Sequence, residues 1–258
     1  MDSSPRVTAP IGQDRLAHGA LPRGSMRRDV FIYTSDDSDN LIGGLWVSEG
    51  ITNANLYSMV EIFCIFSDTF GLHYPNGKLV ERDQNPLQPG DYFLATNGSI
   101  TVTDELPLLR MIALQPGSRS KSFRDAVRER DRRCILTGRK VPYDWTTFEA
   151  THIFPLAYEG HWNELKCDRW LTLPPATESD GSINSPQNGI LLGLDEHILF
   201  KALAVSINPD DNYKIVCFSP ATLPYKLAGR YLDRQFLEDF ARLMRFCAGI
   251  FGRQCFSM

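Results

Sequence analysis

The sequence predicts an α+β protein in two units, and three observations predict it. Residues 29–115 alternate short strand-like runs with one amphipathic helical stretch. Further on, Phe148–Phe154 and Gly189–Leu192 are apolar strand-like runs, and the second passes directly into a helical pattern. Finally, Leu232–Ile250 places Phe236, Phe240, Leu243, Met244 and Cys247 on one helical face. The expected division is a tail at 1–28, a small α+β domain at 29–115, a strand-strand-helix domain at 116–218 and a helical extension at 219–258.

The tail is polar, rich in Pro, Gly and Arg, and without hydrophobic period. In the first domain Val30–Tyr33 and Leu41–Val47 read as strands around the turn Asp36–Asn40. Thr52–Phe66 reads as a helix capped by Thr52 or Asn53, with Leu56, Met59, Val60, Phe63 and Cys64 at helical spacing. Tyr92–Leu94 and Ile100–Val102 read as two more strands. This domain carries no catalytic constellation, and an interaction or stabilising role is expected of it.

Ser122–Arg133 reads as a charged helix opened by Ser122 with Asp125, and Cys134–Gly138 as a short strand entering a turn. The arginines of that helix either face phosphate or pair with the interleaved acids. The long stretch Tyr158–Pro186, with Trp162 and Trp170, is expected to be a loop lining a site. Val205–Phe218 reads as two strands around an Asn-Pro-Asp-Asp-Asn turn.

Bulk properties narrow the function. A formal charge of -4 has the wrong sign for a protein that coats nucleic acid; residues 119–218 carry 13 basic and 14 acidic side chains. No apolar run reaches the ~20 residues of a membrane span, and no signal peptide opens the chain, so an intracellular protein without membrane partners is expected. The six cysteines contain no C-x-x-C pair, which points to free buried thiols rather than a zinc knuckle or a disulfide scaffold.

His152 ends a strand just before Pro155, Asn188-Gly189 reads as a turn, and Asp195-Glu196-His197 sits where a strand passes into a helix. Hydrolysis of a phosphodiester needs an activated water, a Lewis acid and stabilisation of the leaving oxygen. His152 is the candidate general base, since imidazole titrates near neutral pH. Asp195 and His197 would clamp one divalent ion, and Asn188 would complete its shell or hold the His152 ring. Glu149 and Thr151, on the strand face opposite His152, are further oxygen donors. Taken singly, each element has a bland reading: a core histidine, a turn, an N-capped helix.

These residues, with Ser122–Asp131, Cys134–Gly138, Phe148–Trp162, Ile183–Leu192 and Ser206–Pro220, resemble the fungal HNH nuclease domain-containing proteins over about residues 28–234. The resemblance implies a ββα-metal fold, places His152, Asn188 and His197 at the three signature positions, and puts Asp195 at the acidic position before the last histidine. It implies a hydrolase, an HNH endonuclease acting on DNA with one divalent ion (Mg, Mn or Zn). The chain departs from the family at Thr151, at Gly193-Leu194 where a basic or polar pair is usual, and at Lys201 where an acid is usual. Two other readings share the same residues. One is a scaffold repurposed for a small organic substrate, as a cyclase or tailoring enzyme of natural-product biosynthesis; the other is a catalytically silent binding module. The apolar face of the last helix suggests a homodimer.

Overall fold

The structure is a computed structural model and describes residues 28–34, 40–102 and 120–237. Strands β1 (Val30–Thr34) and β2 (Leu41–Leu45) lead to helix α1 (Asn53–Phe63), then to β3 (Cys64–Phe66), β4 (Phe70–His73), β5 (Gly90–Thr96) and β6 (Ile100–Val102). A four-stranded sheet runs β2-β1-β5-β4, with β1 and β5 parallel and the other pairs antiparallel. One face of α1 packs on it, burying Leu56, Tyr57, Val60 and Phe63 with Ile32, Leu72, Tyr92 and Leu94.

Thr52 caps α1 through a reciprocal capping box with Asn55. The helix is shorter than its apolar spacing predicts, because Cys64–Phe66 leaves it to pair with β6 as a two-stranded ladder. A β-branched and an aromatic residue with a strand partner in reach favour the extended form. The structure thus adds β3 and β4 to the strands expected here.

Helix α2 (Lys121–Asp131) follows, then β7 (Phe148–His152), the short α3 (Glu159–Glu164), β8 (Gly189–Gly193), α4 (Leu194–Lys201), β9 (Val205–Asn208) and β10 (Lys214–Cys217). Ser120 rather than Ser122 caps α2, accepting the Phe123 amide at 3.3 Å. Cys134–Gly138 is a tight turn and not a strand: Gly138 N–H donates to Cys134 O at 2.8 Å, with Gly138 at φ +75. The expected long loop is ordered by α3 and a series of 3-10 turns, with Trp162 buried and its indole N–H on the Ser182 hydroxyl at 2.8 Å. The cysteines at 64, 134, 167 and 217 are free and buried. Desolvation pushes the Cys64 thiol up to about 12 and that of Cys167 to about 11, so neither is a ready nucleophile at neutral pH. No described helix is long and apolar enough to cross a membrane. The expected C-terminal helix, and with it the dimer surface, falls mostly outside the described residues.

The two expected domains share a strand. On β10 and the residue after it, Ile215 and Cys217 enter the core of the second unit while Val216 and Phe218 enter the core of the first. Strand alternation sends successive side chains to opposite faces, so one strand seals both cores. Ser48 adds a hydroxyl donated to Cys217 O at 2.8 Å. Truncating Phe218 therefore damages the first unit from a residue just past a strand of the second. Phe218→Ala is expected to cost about 3 kcal/mol and to keep one cooperative urea transition followed by fluorescence and by circular dichroism. Two separated transitions in the wild-type protein would contradict the shared strand.

Candidate active site

Strands β7 and β8 pair antiparallel, with His152 opposite Gly189 and Phe148 opposite Gly193. Alternation puts Phe148, Ala150 and His152 on one face and Glu149 and Thr151 on the other. Helix α2 covers the His152 face. Gly189 makes that possible: its backbone is extended (φ -124), so it is not the turn residue its Asn-Gly context suggests. A Cβ at this position would lie 2.7 Å from Cζ of Phe123 and would also collide with Val127. Without one, the Phe123 ring stacks flat on the His152 imidazole, with centroids 3.9 Å apart and planes 8° apart. The helix is held there by Arg130, which donates to Pro186 O and Gly189 O, both at 2.7 Å, and pairs with buried Asp131. Asp131 in turn accepts the Leu191 amide at 2.8 Å.

The imidazole of His152 is buried, and its Nε2 lies 3.1 Å from Oδ1 of Asn184. The orientation of the Asn184 amide follows from its other end, where Nδ2 donates to Asp180 O. Oδ1 therefore accepts and Nε2 donates. Asp180 is itself fastened to the start of α2. Its carboxylate accepts from Ser120 at 2.6 Å, from Ser122, and from Thr177 at 2.8 Å, and these hydroxyls hold its pKa below the usual carboxylate value. A line of bonds thus runs from the α2 N-terminus through Asp180 and Asn184 to the ring of His152.

Asn188 is fully buried, and its amide is committed to the backbone. Oδ1 accepts the Phe154 amide at 2.8 Å, while Nδ2 donates to Phe154 O at 3.1 Å and Ile183 O at 2.9 Å. It pins the chain leaving β7 to the chain entering β8, and Asn184, not Asn188, holds the imidazole.

Asp195 and His197 both lie in α4, Asp195 exposed in its first turn and His197 buried. Two residues apart on a helix, they do not face each other, so the helix separates the pair that was expected to clamp an ion. Glu149 is half-buried on the face opposite His152 and pairs in register with Leu192. Among the described residues no three of His, Cys, Asp and Glu gather as a metal site. With Asn188 spent on backbone groups, the described donors do not by themselves make a shell for a divalent ion.

Gly193 lies beneath the ends of two charged side chains. A Cβ there would collide with the Glu196 carboxylate and the Arg139 guanidinium. Arg139 lies over the Phe148 ring at 4.5 Å and reaches Glu196 at 4.0 Å. A cation therefore occupies the neighbourhood of residue 193, delivered from the turn after α2.

Sequence reasoning missed Asn184, Phe123 and Asp180. None has a diagnostic spacing; Asn184 sits in an Ile-Asn-Ser-Pro-Gln-Asn run whose polar residues look alike until the backbone chooses among them. Asn188→Ala deletes three buried hydrogen bonds and strands their backbone partners, which is expected to cost about 2–4 kcal/mol. Chemical denaturation measures it; a change below about 0.5 kcal/mol would contradict the structural role.

Two family models match the chain. Residues 27–101 match a family described as a domain of unknown function (DUF8573), and residues 134–208 match one described as HNH endonuclease. No curated protein and no solved structure matches the chain significantly. The second match covers β7, β8, α4 and β9 with His152 at the end of the first of these strands, so residues 134–208 carry an HNH-type domain.

Proposed function

We propose that the protein is an HNH-type endonuclease that hydrolyses phosphodiester bonds in DNA, with His152 as general base. The observation that carries the reading is the imidazole held by Asn184 and Phe123 inside a segment matched by an HNH endonuclease family. A general base needs a defined lone pair and a ring that does not wander. The Asn184 carbonyl supplies the first by accepting the Nε2–H bond, which makes Nδ1 the basic nitrogen in this reading, and the stacked Phe123 ring supplies the second.

In the proposed step, water approaches the phosphorus and its proton passes to Nδ1 of His152. The new P–O bond forms from the water oxygen as the bond to the leaving sugar oxygen breaks, and that oxygen takes a proton from solvent. As the ring becomes cationic, the Nε2–H···Oδ1 bond to Asn184 strengthens, because a charged donor makes the stronger bond. The family match indicates a nuclease-like, metal-dependent chemistry, in which a divalent ion would polarise the phosphate. Among the described residues the donors do not converge on such an ion, so no role here is assigned to Asp195, His197 or Glu149, and titration with Mg, Mn and Zn reads the dependence.

The test is nicking of supercoiled plasmid across those three ions. The wild-type protein is expected to cleave, His152→Ala to lose at least ~100-fold in rate, and Asn184→Ala to lose about 10–100-fold with the fold intact. Absence of cleavage with every ion, from folded protein, would overturn the reading. It would leave the repurposed small-molecule enzyme and the silent module as the surviving functions.

A further inference from the structure

The arginine-rich helix has two possible uses on sequence grounds, and the structure separates its residues between them. Residues 121–140 carry eight basic and three acidic side chains. Each acid of α2 is taken: Asp131 by Arg130 at 2.6 Å, Glu129 by Arg132, and Asp125 by Arg124 at 3.4 Å in an exposed pair. Arg128 is left over. It has no carboxylate within ion-pair distance among the described residues, and its Nε is buried without a hydrogen-bond partner. Burial lowers the pKa of its guanidinium, and the charge of Arg124 one turn away adds to the lowering, partly offset by Asp125.

This arrangement is costly to the free protein. A buried donor left unbonded costs about 1–3 kcal/mol, and like charges at i,i+4 on a helix repel. An anionic oxygen would remove both costs at once. The surroundings narrow the kind of anion. Arg128 lies over the Trp145 ring at 5.2 Å, and Tyr143, two residues before Trp145 in the chain, is fully exposed. Phosphate-reading arginines beside an aromatic ring open to solvent are the two components of a single-strand surface, where the backbone meets cations and bases stack on rings. Arg124 and Arg128 lie on the same helix as Phe123, whose ring lies on His152.

We propose that Arg124, Arg128 and Tyr143 form a docking strip for single-stranded DNA, with the arginines on its phosphates and Tyr143 under an unstacked base. The proposal rests on the nuclease reading only for the direction in which the strand runs, toward His152. A local strip also reconciles nucleic-acid binding with the net charge of -4, because no more than a few phosphates need be neutralised.

The experiment is fluorescence anisotropy of a labelled thymidine oligonucleotide with the full chain over a range of salt concentrations, alongside a duplex of equal length and inorganic phosphate as competitor. Arg128→Met keeps an aliphatic stem over Trp145. It is expected to weaken binding about tenfold, to lower the log–log salt slope by roughly 0.7, and to leave the Tm equal to or above that of the wild type. Tyr143→Ala is expected to lose about tenfold with the slope unchanged. An Arg128→Met protein with unaltered affinity and slope overturns the proposal, as does a lowered Tm without a binding defect. Duplex bound as tightly as single strand, or phosphate competing at the concentration of oligonucleotide phosphate, overturns it too. A wild-type protein that binds through the strip and never cleaves with any of the three ions sinks the nuclease reading while the strip stands.

Discussion

The site depends on how closely α2 approaches a ladder only two strands wide. A lone pair of strands is marginal in water and needs a covering element. Here the cover also builds the chemistry, because the helix that buries β7 and β8 brings the ring that stacks on His152. The approach is set by one missing side chain: Gly189 lies opposite His152 in the ladder, and any Cβ there meets Val127 and Phe123. The Arg130–Asp131 pair, at the far end of the helix, turns an otherwise expensive ion pair into three bonds to strand and loop backbone.

The same economy appears at the domain boundary. β10 gives alternate side chains to two cores, so the unit matched by a family of unknown function and the HNH segment are packed against one strand. A division at residue 115 describes where the chain changes pattern. The core of the first unit is completed from beyond that point, by Val216 and Phe218.

What the sequence discloses follows what it encodes locally. The strand ending at His152, the apolar run of β8 and the turn between β9 and β10 are legible because apolar alternation and turn residues lie next to each other in the chain. The Asn188-Gly189 dipeptide was misleading for a physical reason. Asn-Gly signals a turn when glycine supplies positive φ, whereas Gly189 is extended and serves close packing against a helix more than 50 residues away in sequence. Asp195 and His197 look like a clamp along the chain, and the helix that contains them turns one outward and one inward. The hold on His152 comes from Asn184 through a loop built of 3-10 turns, where no period exists to announce it. Arg128 is the converse case: the sequence shows the charges, and only the pairing of the acids reveals which arginine is spare.

The central claim is that Asn184 fixes the tautomer of His152, leaving Nδ1 as the basic nitrogen. Two-bond ¹H–¹⁵N correlation spectroscopy of the histidine rings, at a pH where His152 is neutral, reads that tautomer directly. The account predicts a protonated Nε2 in the wild-type protein and a mixture of tautomers in Asn184→Ala. A neutral His152 protonated on Nδ1, or a spectrum unchanged by the substitution, would contradict it.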